Sequence, residues 1–111
     1  MTVAFDVLAE PSRRRILDLL RERERSVGEL VGALSASQPT VSKHLRVLRD
    51  AGFVEARVDA QRRIYRVRDE PLREVDDWLT PYRARWSQSL DRLDRHLDDA
   101  AAPTPERRRS R

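Results

Sequence analysis

Between Ser37 and Gly52 the chain reads SQPTVSKHLRVLRDAG, and its polar residues are of the types that hydrogen-bond to base edges or pair with phosphate. Gln38 can bridge two adjacent groups on adenine, Lys43 can reach the guanine acceptors, and Thr40 and Ser42 can donate or accept on either. Arg46 follows in the same segment, and Arg62 and Arg63 supply two further cations downstream. Phosphate contacts of this kind set register, whereas base-edge contacts carry sequence information.

Those side chains share a direction only if the segment is helical. At about 100° per residue, Val41, Leu45 and Leu48 form one apolar stripe flanked by His44 and Ala51. Pro39, Lys43, Arg46 and Asp50 lie roughly opposite, with Gln38 and Ser42 on one shoulder and Thr40 on the other. Ser37 has the chemistry of an N-cap, Pro39 falls in the first turn where a missing N–H costs little, and Gly52 suits the left-handed stop. His44, beside the stripe, reads as a hydrogen-bonded structural residue rather than a base contact. Taken alone, the segment reads first as an amphipathic surface helix with a solvated face, so its neighbours decide.

Upstream, Ser26-Val27-Gly28-Glu29 has capping-box spacing and opens a helix over about 26–34 that buries Val27, Leu30, Val31 and Leu34. Ser35-Ala36 leaves room only for a tight corner, so helix, turn and polar second helix form a helix-turn-helix pattern. Residues 2–9 suit a short first helix, with Val3, Phe5, Val7 and Leu8 apolar. Glu10-Pro11-Ser12 starts a second, running to about Arg23, with Ile16, Leu17, Leu19 and Leu20 facing a core and Arg13, Arg14 and Arg15 solvated. Downstream, residues 53–58 and 63–67 alternate with period two around a polar turn at residues 59–62, which predicts a β-hairpin with a basic tip.

From Asp69 to Asp99 the pattern is helical again, with Leu72, Val75, Leu79, Tyr82, Trp86, Leu90, Leu93 and Leu97 spaced by three or four. Such a seam, with Trp78 and Trp86 on the segment, is too long for one small domain to cover, and a second copy around a twofold axis is the economical partner. Thr80-Pro81 predicts a kink or a restart with Thr80 as cap. The division is then a winged helix-turn-helix domain at 1–99, for DNA binding and dimerisation, and a disordered basic tail at 100–111.

Charge follows the same division. Residues 38–68 hold eight Lys and Arg against three acids, while residues 69–102 hold five Arg against nine acids, as expected if only the middle approaches a polyanion. The 111 residues include no cysteine, which excludes disulfides and thiolate metal sites. A leader-like start and an apolar run of membrane-spanning length are both missing from the sequence, so a cytoplasmic, nucleoid-associated bacterial protein is expected. No nucleophile-elbow serine or glycine-rich phosphate loop occurs, and His44 and His96 fall on different helices, so an enzyme is not expected.

With LAEPSRRRILDLL (8–20), SQPTVSKHLRVLRDAGFVEAR (37–57) and RRIYRV (62–67) in view, the chain resembles the ArsR/SmtB family of bacterial winged-helix regulators. The resemblance runs from about Phe5 to Leu97. It implies a mainly α fold with a small β-hairpin, in which four helices precede the wing and a fifth closes the chain. It also implies a homodimer held by the first and last helices, here Phe5, Leu8, Trp78, Tyr82, Trp86, Leu90, Leu93 and Leu97, and repression by occupying an operator, often the regulator's own. DNA contacts carry over to Ser37, Gln38, Thr40, Ser42, Lys43, Arg46, Arg62 and Arg63. Relatives that sense metals use cysteines on the third helix, which here reads VGELVGAL, or Asp, His and Glu ligands on the last, where only Asp94 and His96 hint at the pattern. Neither a metal nor another cofactor is therefore expected, since two ligands do not complete a tetrahedral site. Twofold symmetry implies half-sites on the order of 34 Å apart. The alternative is a winged-helix protein-interaction module without sequence-specific DNA binding, because a fold does not fix a function.

Overall fold

A computed structural model of the chain describes residues 2–100, and the side chains of residues 3–97. The order is α1 (Thr2–Leu8), α2 (Pro11–Glu22), β1 (Arg25–Ser26), α3 (Val27–Leu34), α4 (Gln38–Asp50), β2 (Val54–Asp59), β3 (Arg62–Val67) and α5 (Glu70–Ala100). This is the expected winged helix-turn-helix with one addition. The two-residue strand β1 pairs antiparallel with β3, so that the sheet order is β1-β3-β2 and the hairpin's inner strand is central. The described residues fall into two compact units, one extending to Asp77 and one from Trp78 onward. The expected basic tail, from residue 101, lies outside the described residues.

The first unit closes a core around Ile16, Leu30, Val41, Leu45, Leu48 and Phe53, each at most 1% exposed. Removing each such side chain from water contributes roughly 1.5 to 3 kcal/mol. α2 adds Leu17 and Leu20, with Leu19 only partly buried, and Leu72 and Val75 of α5 pack on the cluster's edge. In α1 the expected apolar surface divides. Val7 is buried together with Ala4, Leu8 is half-buried, and Val3 and Phe5 remain exposed.

Local signals in the sequence reappear as hydrogen bonds. Glu10 caps α2, its carboxylate accepting from the Ser12 N–H at 3.4 Å. Ser26 and Glu29 form the full capping box, with the Ser26 N–H donating to Glu29 at 2.8 Å and the Glu29 N–H donating to Ser26 at 3.2 Å. That backbone donor, ahead of Arg23, holds the Glu29 carboxyl below its usual range. The corner between α3 and α4 turns at Ser35, whose φ of 53° is left-handed, a conformation costing an L-residue roughly 1 to 2 kcal/mol.

Three expectations are corrected. Arg13 and Arg14 are not simply solvated. Arg13 Nε donates to the Val7 carbonyl at 2.8 Å and Arg14 to the Leu8 carbonyl at 2.6 Å, satisfying acceptors that the short helix α1 leaves without an intrahelical donor. The first wing strand is shifted one residue along, to end at Asp59, and the second starts one residue earlier, at Arg62, so the turn is only Ala60-Gln61 with Ala60 at φ 59°. α5 does not restart at Thr80. It runs through Pro81, whose ring nitrogen merely fails to donate to the Asp77 carbonyl, while the Thr80 hydroxyl accepts from Arg83 at 3.2 Å.

α4 ends in a complete Schellman motif. The Phe53 N–H donates to the Leu48 carbonyl at 2.9 Å and the Gly52 N–H to the Arg49 carbonyl at 3.0 Å, with Leu48 and Phe53 both buried beneath them. Gly52 sits at φ +83°, and a Cβ there would meet Pro71 only at an ordinary 3.5 Å, so a side chain is opposed by backbone conformation and not by crowding. Gly52→Ala should cost about 1 to 2 kcal/mol in a denaturant titration; an unchanged midpoint would remove the left-handed stop as the reason for glycine.

Candidate nucleic-acid interface

α4 is seated by Val41, Leu45 and Leu48 and is therefore fixed in rotation, which decides what its outer face presents. Ser37, Gln38, Thr40, Ser42, Lys43 and Arg46 are all exposed there. The Ser37 hydroxyl accepts from the Thr40 N–H at 3.3 Å and donates to the Thr40 hydroxyl at 2.9 Å. The cap thus also orients one of the candidate contact residues. His44 is half-buried beside the core as expected, but not hydrogen-bonded as expected, for its Nδ1 is buried without a partner.

The wing separates two residues that the sequence placed together. Neighbours along a strand point to opposite faces, so Arg63 shares a face with Tyr65 and Val67, which reach the core, while Arg62 shares the other with Ile64 and Arg66. Arg63 stands in register with Val58, which is 71% exposed, and Arg62 with Asp59 at the turn.

Ion pairing sorts the cations of this segment into two groups. Arg57 bonds Glu24 at 2.8 Å, which raises its already high pKa, and approaches Asp59 at 3.9 Å. Arg66 pairs with Glu55, and Arg68 with Glu55 at 3.8 Å and Glu70 at 3.4 Å. These pairs hold the sheet's outer face and the start of α5. Lys43, Arg46, Arg49, Arg62 and Arg63, by contrast, have no carboxylate partner among the described residues.

Arg49 had no place among the candidate contacts, yet it lines one open hollow of about 250 Å³ with Ser42, Arg46, Arg63, Val27 and Tyr65. The signal was present in the spacing. Ser42, Arg46 and Arg49 are four and three residues apart, one stripe along a helix.

Of the candidate dimer residues, Leu8 packs partly on the core. Phe5, Trp78, Tyr82, Trp86, Leu90, Leu93 and Leu97 are between 37% and 61% exposed. The Trp78 and Tyr82 rings are 4.9 Å apart, centroid to centroid. Three converging His, Asp or Glu side chains that could hold a metal do not occur among the described residues, and no described helix is long and apolar enough to cross a membrane.

Residues 10–56, from the start of α2 through the helix-turn-helix to the first residues of β2, match the model of the bacterial regulatory protein family arsR. The arsenic resistance transcriptional regulator of Pseudomonas putida is 35% identical over 102 residues, covering 81% of this chain and 80% of that one. The chain belongs to the arsR family. An uncharacterized HTH-type transcriptional regulator of Mycobacterium tuberculosis is 44% identical over 72 residues, 64% of this chain and 63% of that protein, so the match spans less than two thirds of the relative's length. Among solved structures, a homodimeric winged helix-turn-helix DNA-binding domain from Mycobacterium bovis superposes with a TM-score of 0.62 at 30% identity, covering 73% of this chain and 76% of that one.

The cap that opens α4 is the part of this face most open to a direct stability test. Ser37→Ala should lower unfolding free energy by about 1 kcal/mol, the usual worth of an N-cap hydroxyl, and Ser37→Gly by less; equal stability of wild type and Ser37→Ala would show that the cap does not hold the helix start.

Proposed function

We propose that the chain is a sequence-specific DNA-binding transcriptional repressor that acts as a homodimer on an imperfect palindrome, its own promoter being the first operator to test. The observation that carries this reading is the sorting of cations. Arg57, Arg66 and Arg68, beside the sheet's outer face, are neutralised by acids and only Arg62 at the turn is not, while Lys43, Arg46, Arg49 and Arg63, on α4 and on the strand face turned toward it, are left for a partner that brings negative charge. The names of relatives, such as the biofilm growth-associated repressor of Agrobacterium fabrum, favour DNA over an acidic protein as that partner.

In this reading the first turns of α4 enter the major groove. Gln38, Thr40, Ser42 and Lys43 meet base edges, each good bidentate pair discriminating by roughly 1 to 3 kcal/mol, and Arg46, Arg62 and Arg63 hold phosphates. Residues 1–99 would then serve both DNA binding and dimerisation. The effector, if the protein takes one, is not a metal held by cysteine, since the chain has none.

Titrating the protein against its upstream region and against random DNA, at several salt concentrations, tests the assignment. Gln38→Ala and Lys43→Ala should each reduce the ratio of operator to random affinity by about 5- to 150-fold, the equivalent of one lost bidentate pair. A ratio unmoved by both would refute the assigned reading face.

The proposed dimer draws on the exposed apolar seam of α5 and on the homodimeric state of the Mycobacterium bovis domain. Trp86→Ala should shift sedimentation toward monomer and weaken operator binding more than binding to a single half-site; a dimer as tight as wild type would place the interface elsewhere.

A further inference from the structure

We propose that Arg46, Arg49 and Arg63 form a ready-made site for a single phosphate group, in the hollow between α4 and β3, and that Arg49 is a DNA-contact residue through it. The inference rests on the DNA-binding reading for the source of the phosphate, a backbone phosphodiester. The site itself is argued from the chain alone.

Two separate elements converge on it. From α4, the stripe of Ser42, Arg46 and Arg49 supplies two guanidinium groups and a hydroxyl, and from β3 the alternation that buries Tyr65 turns Arg63 to the same side. The floor is Val27 and Tyr65, and Tyr65 is only 6% exposed, so the base of the hollow is set by the core and offers no carboxylate. A cation near the C-terminus of a helix is ordinary, because the last carbonyls carry partial negative charge, and that would account for Arg49 by itself. It does not account for Arg63, which comes from another element, nor for the absence of any acid partner to the three arginines among the described residues.

Three like charges around one hollow repel each other, although solvent screens the exposed ends. The same sheet shows the ordinary remedy, since Arg57, Arg66 and Arg68 each have an acid within reach. Around this hollow the remedy is withheld, and an oxyanion supplies it. Guanidinium forks match phosphate oxygens two at a time, so three of them can saturate one phosphate's acceptors and leave the Ser42 hydroxyl at the rim for a base edge. Because the hollow is open on the outer side, a phosphate that remains part of a polymer can enter as readily as a free ion. The C-terminal half of α4 and the wing would thereby grip one point of the backbone while the N-terminal half reads bases.

The experiment has two arms, both on the full chain. In the first, thermal unfolding is followed in sodium phosphate against sodium chloride at matched ionic strength. Wild type should show a saturable rise in midpoint with phosphate, as expected for a ligand that binds only the folded state. Arg49→Gln and Arg63→Gln should each abolish the rise, and Arg21→Gln, an exposed arginine on α2, should keep it. No saturable rise, a rise surviving both site substitutions, or equal loss in Arg21→Gln would overturn the site.

In the second arm, Arg49→Gln should weaken operator and random DNA binding by the same factor, about 3- to 10-fold near physiological salt, and reduce the salt slope by about one unit. DNA binding by Arg49→Gln with the wild-type affinity and slope would sink the contact role while leaving the repressor reading intact. Phosphate binding by a wild type that shows no DNA binding would keep the site and sink the repressor reading, moving the source to a free phosphate.

Discussion

The hydrogen bond from the Phe53 N–H to the Leu48 carbonyl, with both side chains buried beneath it, is the joint on which the rest of the molecule depends. It ends α4 at a fixed residue and sends the chain into β2 from a fixed direction, because Gly52 can adopt the left-handed conformation that the bond requires. Phe53 then serves twice more. Its ring fills the centre of the core, and its carbonyl accepts from the Arg68 N–H at 2.8 Å, closing the base of the hairpin. Helix end, core and wing are thereby one constraint. A slip of one residue at this joint would turn every side chain of β2 to the wrong face, and the pairing of Val58 with Arg63 would be lost with it.

What the sequence disclosed and what it hid divide along the range of the interactions involved. The capping box at Ser26, the cap at Ser37 and the stop at Gly52 each involve residues at most five apart, and the residue types alone encode them. The apolar stripe of α4 was legible for the same reason. β1 was not, since two residues carry no periodicity, and their strand conformation comes from Tyr65 and Ile64 some forty positions away in the chain. Arg13 and Arg14 read as solvated charges because α1 is too short to advertise that its last carbonyls need donors. Thr80-Pro81 carries a local signal for a kink or a restart, and the helix continues through it without a restart, at the loss of one backbone hydrogen bond. At the candidate site, helical phase alone puts Ser37, Gln38, Thr40, Ser42, Lys43 and Arg46 outside the buried stripe, and they are exposed. That Arg49 shares a hollow with Arg63 is not legible in the same way, because phase alone does not show which strand face lies across from it.

Charge is arranged by the same logic as the core. With 22 arginines in 111 residues, net charge tells little about where a polyanion would bind, and pairing tells more. Exposed ion pairs such as that of Arg68 with Glu70 add little stability, with a usual worth of about 0 to 1 kcal/mol. Their larger effect is to cancel field on the outer face of the sheet. Cancelling charge on one side of the wing and leaving it on the other produces a directional potential, which sets how a charged partner approaches. The division is not complete at the turn, where Arg62 stands on the outer face without a carboxylate partner among the described residues while adjacent Arg63 faces the other side.

The apolar seam of α5 has the opposite relation to folding. Ile16, Leu30, Val41, Leu48 and Phe53 are already sealed from solvent, so the core that fixes α4 is complete while Trp86, Leu90, Leu93 and Leu97 still stand about half exposed. A seam of this kind, on a helix about 46 Å long, contributes to stability only when something covers it. In the proposed dimer, association would therefore act on the spacing of two finished reading heads and not on their formation. Folding of the reading head and its pairing with a second would be separable free energies, the first set by the joint at Phe53 and the second by protomer concentration. A ligand that altered the seam could then change operator affinity without disturbing a single contact around α4, because a half-site needs only the first term and a palindrome needs both.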